Sequence, residues 1–369
     1  MQLKYHQATY KLLTNPIIDT SHIVANFDNH FEPMMKAELK VTSDPESIRR
    51  QYETMRNKAL DWTHLTLYQR PANFSKRNLD YLDQFEHKYG VKLPESVREW
   101  YGLDIAPEVM GATNFTYLSI PEMEPEGDVC YFLRHEYFDQ GGESLYFRLD
   151  SGEDPPVIAS YHGMQTVEYT FSRFIFCHFW DWLARHQFPY WFDVFHIPHP
   201  EAPTTLKVPE RYFVPLSRLR LHYSEIDSNH AHRFFSPDHR IMADTRIDYP
   251  SARRKASQVM TGGQFRATSV EALGELIDTV WDDNAPLFRM SQWQHKATET
   301  MLDEKRYGYV RKVLRDHNDW MASNALATAL GSPTEQMYPA MEKKVNDLVR
   351  DGEVKYMEHE NEMLYRLSS

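Results

Sequence analysis

The residues that invite chemistry first are histidines, of which the chain has 18. The sharpest group is His222, His230, His232 and His239. His230 and His232 stand two apart, and on a strand that spacing turns both rings to one face, as metal sites require. A metal held there would point to a hydrolase working through segment 222–239. The acids nearby, Glu225, Asp227 and Asp238, sit in turn-like contexts that need them structurally. Core or exposed histidines are therefore the preferred reading, and no metal is assigned. Neither His-Glu-x-x-His nor Cys-x-x-Cys occurs.

Other constellations are weaker. His135-Glu136 beside Asp139 and Glu143 has the residue types of a general acid/base group, because carboxylates near an imidazole shift its proton affinity. Spacing alone does not make them converge, and the run belongs to an acidic loop system. Gly-x-Ser-x-Gly is absent, and Gly141-Gly142 leads into Glu143-Ser144 as a turn would. Gly262-Gly263 lacks the Gly-Lys-Ser/Thr that completes a phosphate-cradling loop. No catalytic residue and no cofactor is assigned, so binding is the activity to look for.

The charge distribution says what would be bound. Formal net charge is -12, and residues 80–190, with 7 basic against 19 acidic residues, hold all of it. The acids crowd presumed loops: Glu122, Glu124, Glu126 and Asp128, then Glu143, Asp150, Glu153 and Asp154. These eight are the candidate partner-binding residues. A negative face steers a basic protein toward it and repels nucleic acid. The well-solvated surface is the alternative. Two cysteines, Cys130 and Cys177, are too few for a disulfide framework and fit a reducing, cytoplasmic setting. The most apolar segment, Phe174 to Phe195, is interrupted by Asp181, Arg185, His186 and Asp193, so no membrane span is expected.

These residues need a scaffold. Residues 1–43 suggest short strands, and Ser43-Asp44-Pro45-Glu46 opens a helix to about Tyr68. Leu79, Leu82, Phe85 and Tyr89 recur at helical spacing before Gly90, a helix stop. A short helix carrying Val97, Trp100 and Tyr101 follows Leu93-Pro94. After Thr113 the period becomes that of strands, over Phe115–Ser119, Val129–Leu133, Ser144–Leu149, Val157–Tyr161 and Val167–Tyr169. Phe171–Leu183, apolar nearly all round, must be a buried helix.

The ordered set Leu82-Asp-Gln-Phe85-Glu86-His-Lys-Tyr-Gly90-Val-Lys-Leu93-Pro94, the Gly142-to-Tyr161 hairpin and the closing Phe171-to-Leu183 helix resembles the SMI1/KNR4 (SUKH) superfamily over roughly residues 77–187. Where that family often has an Asn-Gly turn after its second helix, Tyr101-Gly102-Leu103-Asp104 leads into Ile105-Ala-Pro-Glu. The family includes bacterial immunity proteins that neutralise polymorphic toxins and fungal regulators of cell-wall synthesis. What the resemblance implies is a curved antiparallel sheet with helices and a protein-binding role, without a catalytic motif.

Downstream, Arg211–Leu221 reads as a strand, His232–Ala243 as a hairpin about Ser-Pro-Asp, and Val270–Trp281 as a helix capped by Ser269. This order echoes the closing half of the preceding domain and suggests a degenerate second copy. Residues 319–330 and Ser332 to Asp351 read as two helices, followed by a hairpin of Gly352–Met357 and Met363–Leu367. That is a winged-helix-like order. Lys343, Lys344 and Arg350 lie on its second helix, but Glu358, Glu360 and Glu362 on its wing argue for a protein rather than DNA as partner.

The expectation is an α+β protein in four parts: an extension (1–76), a SUKH-like domain (77–200), a second α/β region (201–290) and a helical, winged-helix-like module (291–369). Its expected role is immunity-type inhibition of a basic, nuclease-like toxin, with a regulatory scaffold as the alternative and a metal-dependent hydrolase as the second. The aromatic block from Phe174 to Phe195 is expected in a core rather than as a base-stacking platform.

Overall fold

The computed structural model describes residues 3–14, 23–65, 67, 69–113, 116–137, 141–161, 164–188, 190–196, 219, 224–227, 231–238, 240–248, 260–280, 296–330, 339–360 and 362–368. The protein is α+β, with several antiparallel sheets and helices. It divides into two compact units, Met1–Gln187 and Phe188–Ser369. The boundaries expected near 76 and 290 are not boundaries of these units. The one expected at 200 lies at 187, because the strand that follows joins the second unit's sheet.

In the first unit the opening residues are helical rather than extended: α1 (Gln7–Leu13) and α2 (Ile23–Glu38). Their helical character was obscured because α1 is only seven residues long and Pro33, which reads as a helix breaker, stands inside α2; α1 buries Tyr10, Leu12 and Leu13, and α2 buries Ile23 and Phe27. Helix α3 (Pro45–Thr63) starts at the expected cap, with the Asp44 carboxylate accepting from Ser47 N, and ends before Tyr68. Helix α4 (Lys76–Tyr89) is capped by Ser75 and stops at Gly90, whose φ of 64° is left-handed. Helices α5 (Glu95–Gly102) and α6 (Ala106–Gly111) follow.

The local logic of the Phe85-Glu86…Gly90…Leu93-Pro94 run is visible here. Phe85 and Leu93 are buried, and the Glu86 carboxylate accepts from Leu93 N (2.7 Å) and from Arg98 (2.6 Å). One carboxylate thus fastens the chain after α4 to the helix that comes next.

The sheet comprises β1 (Thr116–Tyr117), β2 (Pro125–Glu126), β3 (Val129–Tyr137), β4 (Gly141–Arg148), β5 (Pro156–Tyr161) and β6 (Met164–Thr170), ordered β1-β3-β4-β5-β6 with β2 on β3. Helix α7 (Phe171–Gln187) follows directly and packs on β5 and β6. Its other side meets α1, α2 and α5, and its Trp182 ring lies 4.1 Å from Trp62 of α3. An all-round apolar helix is what two covering layers demand.

The second unit has its own sheet, ordered β7-β11-β10-β9-β8: β7 (Tyr190–His196), β8 (Ser224–Asp227), β9 (Ala231–Phe235), β10 (Ile241–Asp248) and β11 (Met260–Ala267). Helix α8 (Val270–Val280) closes it, with Ser269 Oγ accepting from Ala272 N. The expected strand at 211–221 lies outside the described residues except for Leu219, which is helical and buried. Gly263 is required where β11 meets β10, since a Cβ there would stand 2.6 Å from the buried Phe265 ring.

The rest of this unit is α9 (Lys296–His317), β12 (Met321–Ala322), α10 (Ser323–Ala329), α11 (Pro339–Arg350), β13 (Val354–His359) and β14 (Glu362–Leu367), with a sheet ordered β12-β14-β13. The helix expected from Asp319 begins only at Ser323, because Met321 and Ala322 pair with Tyr365 and Leu364. Two residues of strand carry too little periodicity to be seen in sequence. Phe192, Phe265, Leu276, Leu302, Val345 and Tyr365 belong to one hydrophobic core, so 201–290 and 291–369 are not separately cored.

Candidate functional site: an acidic end of the first sheet

The acidic candidates do not form one cluster of eight. Val129 pairs with Arg148, and Leu149 N donates to Asp128 O (2.8 Å), so the β2–β3 and β4–β5 turns lie side by side at one end of the sheet. Asp128 lies in the first turn, with Glu126 in β2 and Glu124 just before it, and Asp150, Glu153 and Asp154 lie in the second. Glu143 is the exception: it pairs with His135 and Tyr161, five residues along β4 from Arg148, roughly 16 Å away at strand rise. Glu122 closes the 3-10 turn Ile120–Glu122, accepting from Ser119 N (2.7 Å) and Ser119 Oγ (2.6 Å), which lowers its pKa.

Several members also have structural tasks that acidity in sequence did not reveal. Asp128 pairs with Arg148 at 2.8 Å. Asp154 caps α7 from across the turn, accepting from Ser172 N (2.9 Å) and Ser172 Oγ (2.6 Å). Glu153 accepts from Tyr5 Oη (2.5 Å) and Lys4 Nζ (2.9 Å), and these bonds hold its pKa below the ordinary value. Glu124, Glu126 and Asp150 are exposed, and among the described residues none of the three is in an ion pair. These three are the carboxylates at this end with charge to offer a partner.

Sequence reasoning missed the strap that braces this end. Residues Lys4-Tyr5-His6 donate three backbone N–H groups to the Glu99 carboxylate, at 2.7, 2.9 and 2.7 Å. Glu99 is 2% exposed. His6 Nε2 donates to Ser96 O (2.9 Å), and burial of the ring lowers its pKa to about 4. Ser96 N in turn donates to Glu153 O at 2.9 Å, tying α5 to the acidic turn. The one available signal was a glutamate in an otherwise apolar helical face beside Trp100.

The other candidates resolve differently. Phe176, Phe179, Trp180 and Trp182 are buried in the first unit and Phe188 and Phe192 in the second, so these six rings serve two cores. Of the four histidines, only His232, on β9, lies among the described residues, and among those residues no three His, Cys, Asp or Glu side chains gather to hold a metal. His135 and Glu143 are backbone partners across β3 and β4, while Asp139 lies outside the described residues. Cys130 and Cys177 are buried free thiols, and burial raises Cys130 to about 12, which keeps it unreactive. Among the described residues no helix is long and apolar enough to cross a membrane.

The cations expected on the second helix of the C-terminal module are largely engaged. Lys344 is buried against Asp303, which also holds Arg306 at 2.9 Å. Arg350 pairs with Asp347 (3.0 Å) and Asp351 (3.2 Å). Lys343 remains exposed, and so do Glu358 and Glu360 on the hairpin.

Compared with known proteins, the chain matches no family model, no curated protein and no solved structure.

Proposed function

We propose that this chain is a non-catalytic, cytoplasmic protein-binding protein of the SMI1/KNR4 (SUKH) type. Its acidic end docks onto a basic polypeptide in the manner of an immunity protein neutralising a nuclease-like toxin. The observation that carries this reading is the juxtaposition of two acidic turns, with Glu124, Glu126 and Asp150 exposed and Glu153 braced by the strap. Charges on a rigid edge favour encounter with a positive groove and act mainly on association rate. The family reading is supported by the order α4, α5, antiparallel sheet, α7 and by the structural use of Phe85, Glu86, Gly90 and Leu93.

Order helix–strand–helix–helix–hairpin, with the two-residue strand beside β14, supports a winged helix at the C-terminus. Burial of Lys344 against Asp303, together with the exposed Glu358 and Glu360 on the hairpin, favours protein over DNA as its partner. That arrangement fits a second docking site, as a regulatory scaffold would have.

The test is binding of a lysine- and arginine-rich peptide by stopped flow as ionic strength is raised. Association should slow steeply with salt. Reversing Glu124, Glu126 and Asp150 to Lys together should slow it by about tenfold or more, and reversing Glu143 alone should change it little. Equal effects from the two ends of the sheet would remove the docking edge.

A further inference from the structure

A cavity of about 490 Å³ opens on the first unit between α3, α4, α6 and β1. Its size is that of sites for small organic ligands. Its chemistry is the reverse of the unit's surface. Lys58 and Arg77 line it, and among the described residues no aspartate or glutamate does. Among the described residues neither cation is in an ion pair: Arg77 donates to the Tyr81 hydroxyl (3.2 Å) and stacks 5.4 Å from that ring. Lys58 is half-buried, and burial lowers its pKa despite Asp61 one turn on, so an anion brought to it would restore favourable surroundings for its charge. Three acids adjoin lining residues in sequence, and each is engaged elsewhere: Asp80 with Lys76, Glu108 with Arg70 and Glu122 with Ser119.

The walls add a second, independent sign. Tyr101, Met110 and Ile120 are buried and supply an apolar floor. Tyr101 donates its hydroxyl to Leu118 O at 3.2 Å. Tyr117 belongs to the same wall, and its hydroxyl is buried away from the cavity.

We infer that this cavity binds a small organic acid, an apolar body carrying one carboxylate, with Lys58 and Arg77 taking the carboxylate. The site is separate from the acidic end and extends the proposed function without depending on it, since a ligand here would not touch Glu124, Glu126 or Asp150.

The experiment is a ligand-observed NMR screen of the full chain with matched pairs of aryl- and alkyl-alkanoic acids and their primary amides, followed by calorimetry on the tightest acid. The acids should bind and the amides should bind at least about tenfold more weakly, the worth of one lost charge-assisted pair. Lys58→Met and Arg77→Met should each weaken the acid by about tenfold and leave the amide unchanged. Tyr117→Phe should leave acid binding unchanged and melt no lower than the parent, because the unmatched hydroxyl it removes is closed off from the cavity. Equal binding of acids and amides, binding by neither, or acid binding indifferent to Lys58 and Arg77 would overturn the assignment. Circular dichroism of each variant separates loss of ligand from loss of fold, and the peptide-binding rate at the acidic end reads the other proposal separately.

Discussion

The two units each contain an antiparallel run of four strands followed at once by a helix: β3 to β6 then α7, and β8 to β11 then α8. The plan is shared, but the helices are not alike. Helix α7 shows no exposed residue among those whose side chains are described, whereas α8 leaves Glu271, Glu275 and Asp278 in solvent. The difference follows from what lies behind each helix. α7 is roofed by α1, α2 and α5, so aromatic side chains fill both of its sides, while α8 rests on its sheet and α9 and keeps a charged stripe, with Glu275 paired to Arg240 at 3.1 Å. A helix records in its own composition how many layers cover it. The same comparison separates two settings for exposed carboxylates: Asp150 and Glu153 lie on a turn at one end of the first sheet, whereas Glu271, Glu275 and Asp278 lie on the open face of α8.

The sharpest way to break the comparison is to remove the roof's anchor. Glu99 accepts three backbone N–H groups, and Glu99→Ala leaves them unmatched in a buried site. Loss of stability should be roughly 3 to 5 kcal/mol. Hydrogen exchange should show it throughout 1–187 and leave α8 and β11 protected. Exchange rising equally in both units would mean that the roof is not private to the first.

Acid should act on the same strap through His6. Its folded pKa of about 4 lies below the ordinary 6.5, so between those values the unfolded chain binds the proton that the folded chain refuses. Stability from this group is therefore complete above about pH 6.5, falls as pH drops toward 4, and is fully lost below that. The total is about 3 kcal/mol at 1.36 kcal/mol per unit. Denaturant titrations of the parent and of His6→Gln across that window should differ in slope, with the variant flatter. Parallel slopes would show that the imidazole is not what senses pH.

How much of this was legible depends on whether the information is local. Helix α4 and its Gly90 stop were readable because period and terminator lie within one stretch of chain, while the Ser75 cap emerged only from the structure. The β4–β5 hairpin and the β9–β10 hairpin were readable for the same reason. Helices α1 and α2 were not, because α1 is only seven residues long, Pro33 stands inside α2, and their burial is decided by α7, more than a hundred residues away. Strand β12 was invisible at two residues, since its partner in β14 makes it a strand. For the site, the acidic character of the turns was plain, but the separation of Glu143 needed the strand register. The tasks of Asp154 and Glu153 needed contacts to Ser172 and to Tyr5 that no spacing rule connects.

The smallest effect tests that distinction between local and distant information directly. Helix α8 is capped by its own preceding residue, Ser269, at 3.2 Å, whereas α7 is capped by Asp154, which reaches it from the β4–β5 turn. Removing either cap should cost about 1 kcal/mol, within a range of roughly 0.5 to 2. The consequences beyond the helix should differ. Ser269→Ala frays only the first turn of α8. Asp154→Ala also releases the turn that carries Asp150 and Glu153, so exchange should rise at 149–155 as well as at the start of α7, and association of a basic peptide should slow by more than loss of one charge explains. Asp154→Asn retains the oxygen acceptor and removes the charge. If the asparagine variant keeps the turn protected and slows association only modestly, the cap positions the acidic end; if both variants behave alike, Asp154 contributes its charge and nothing more.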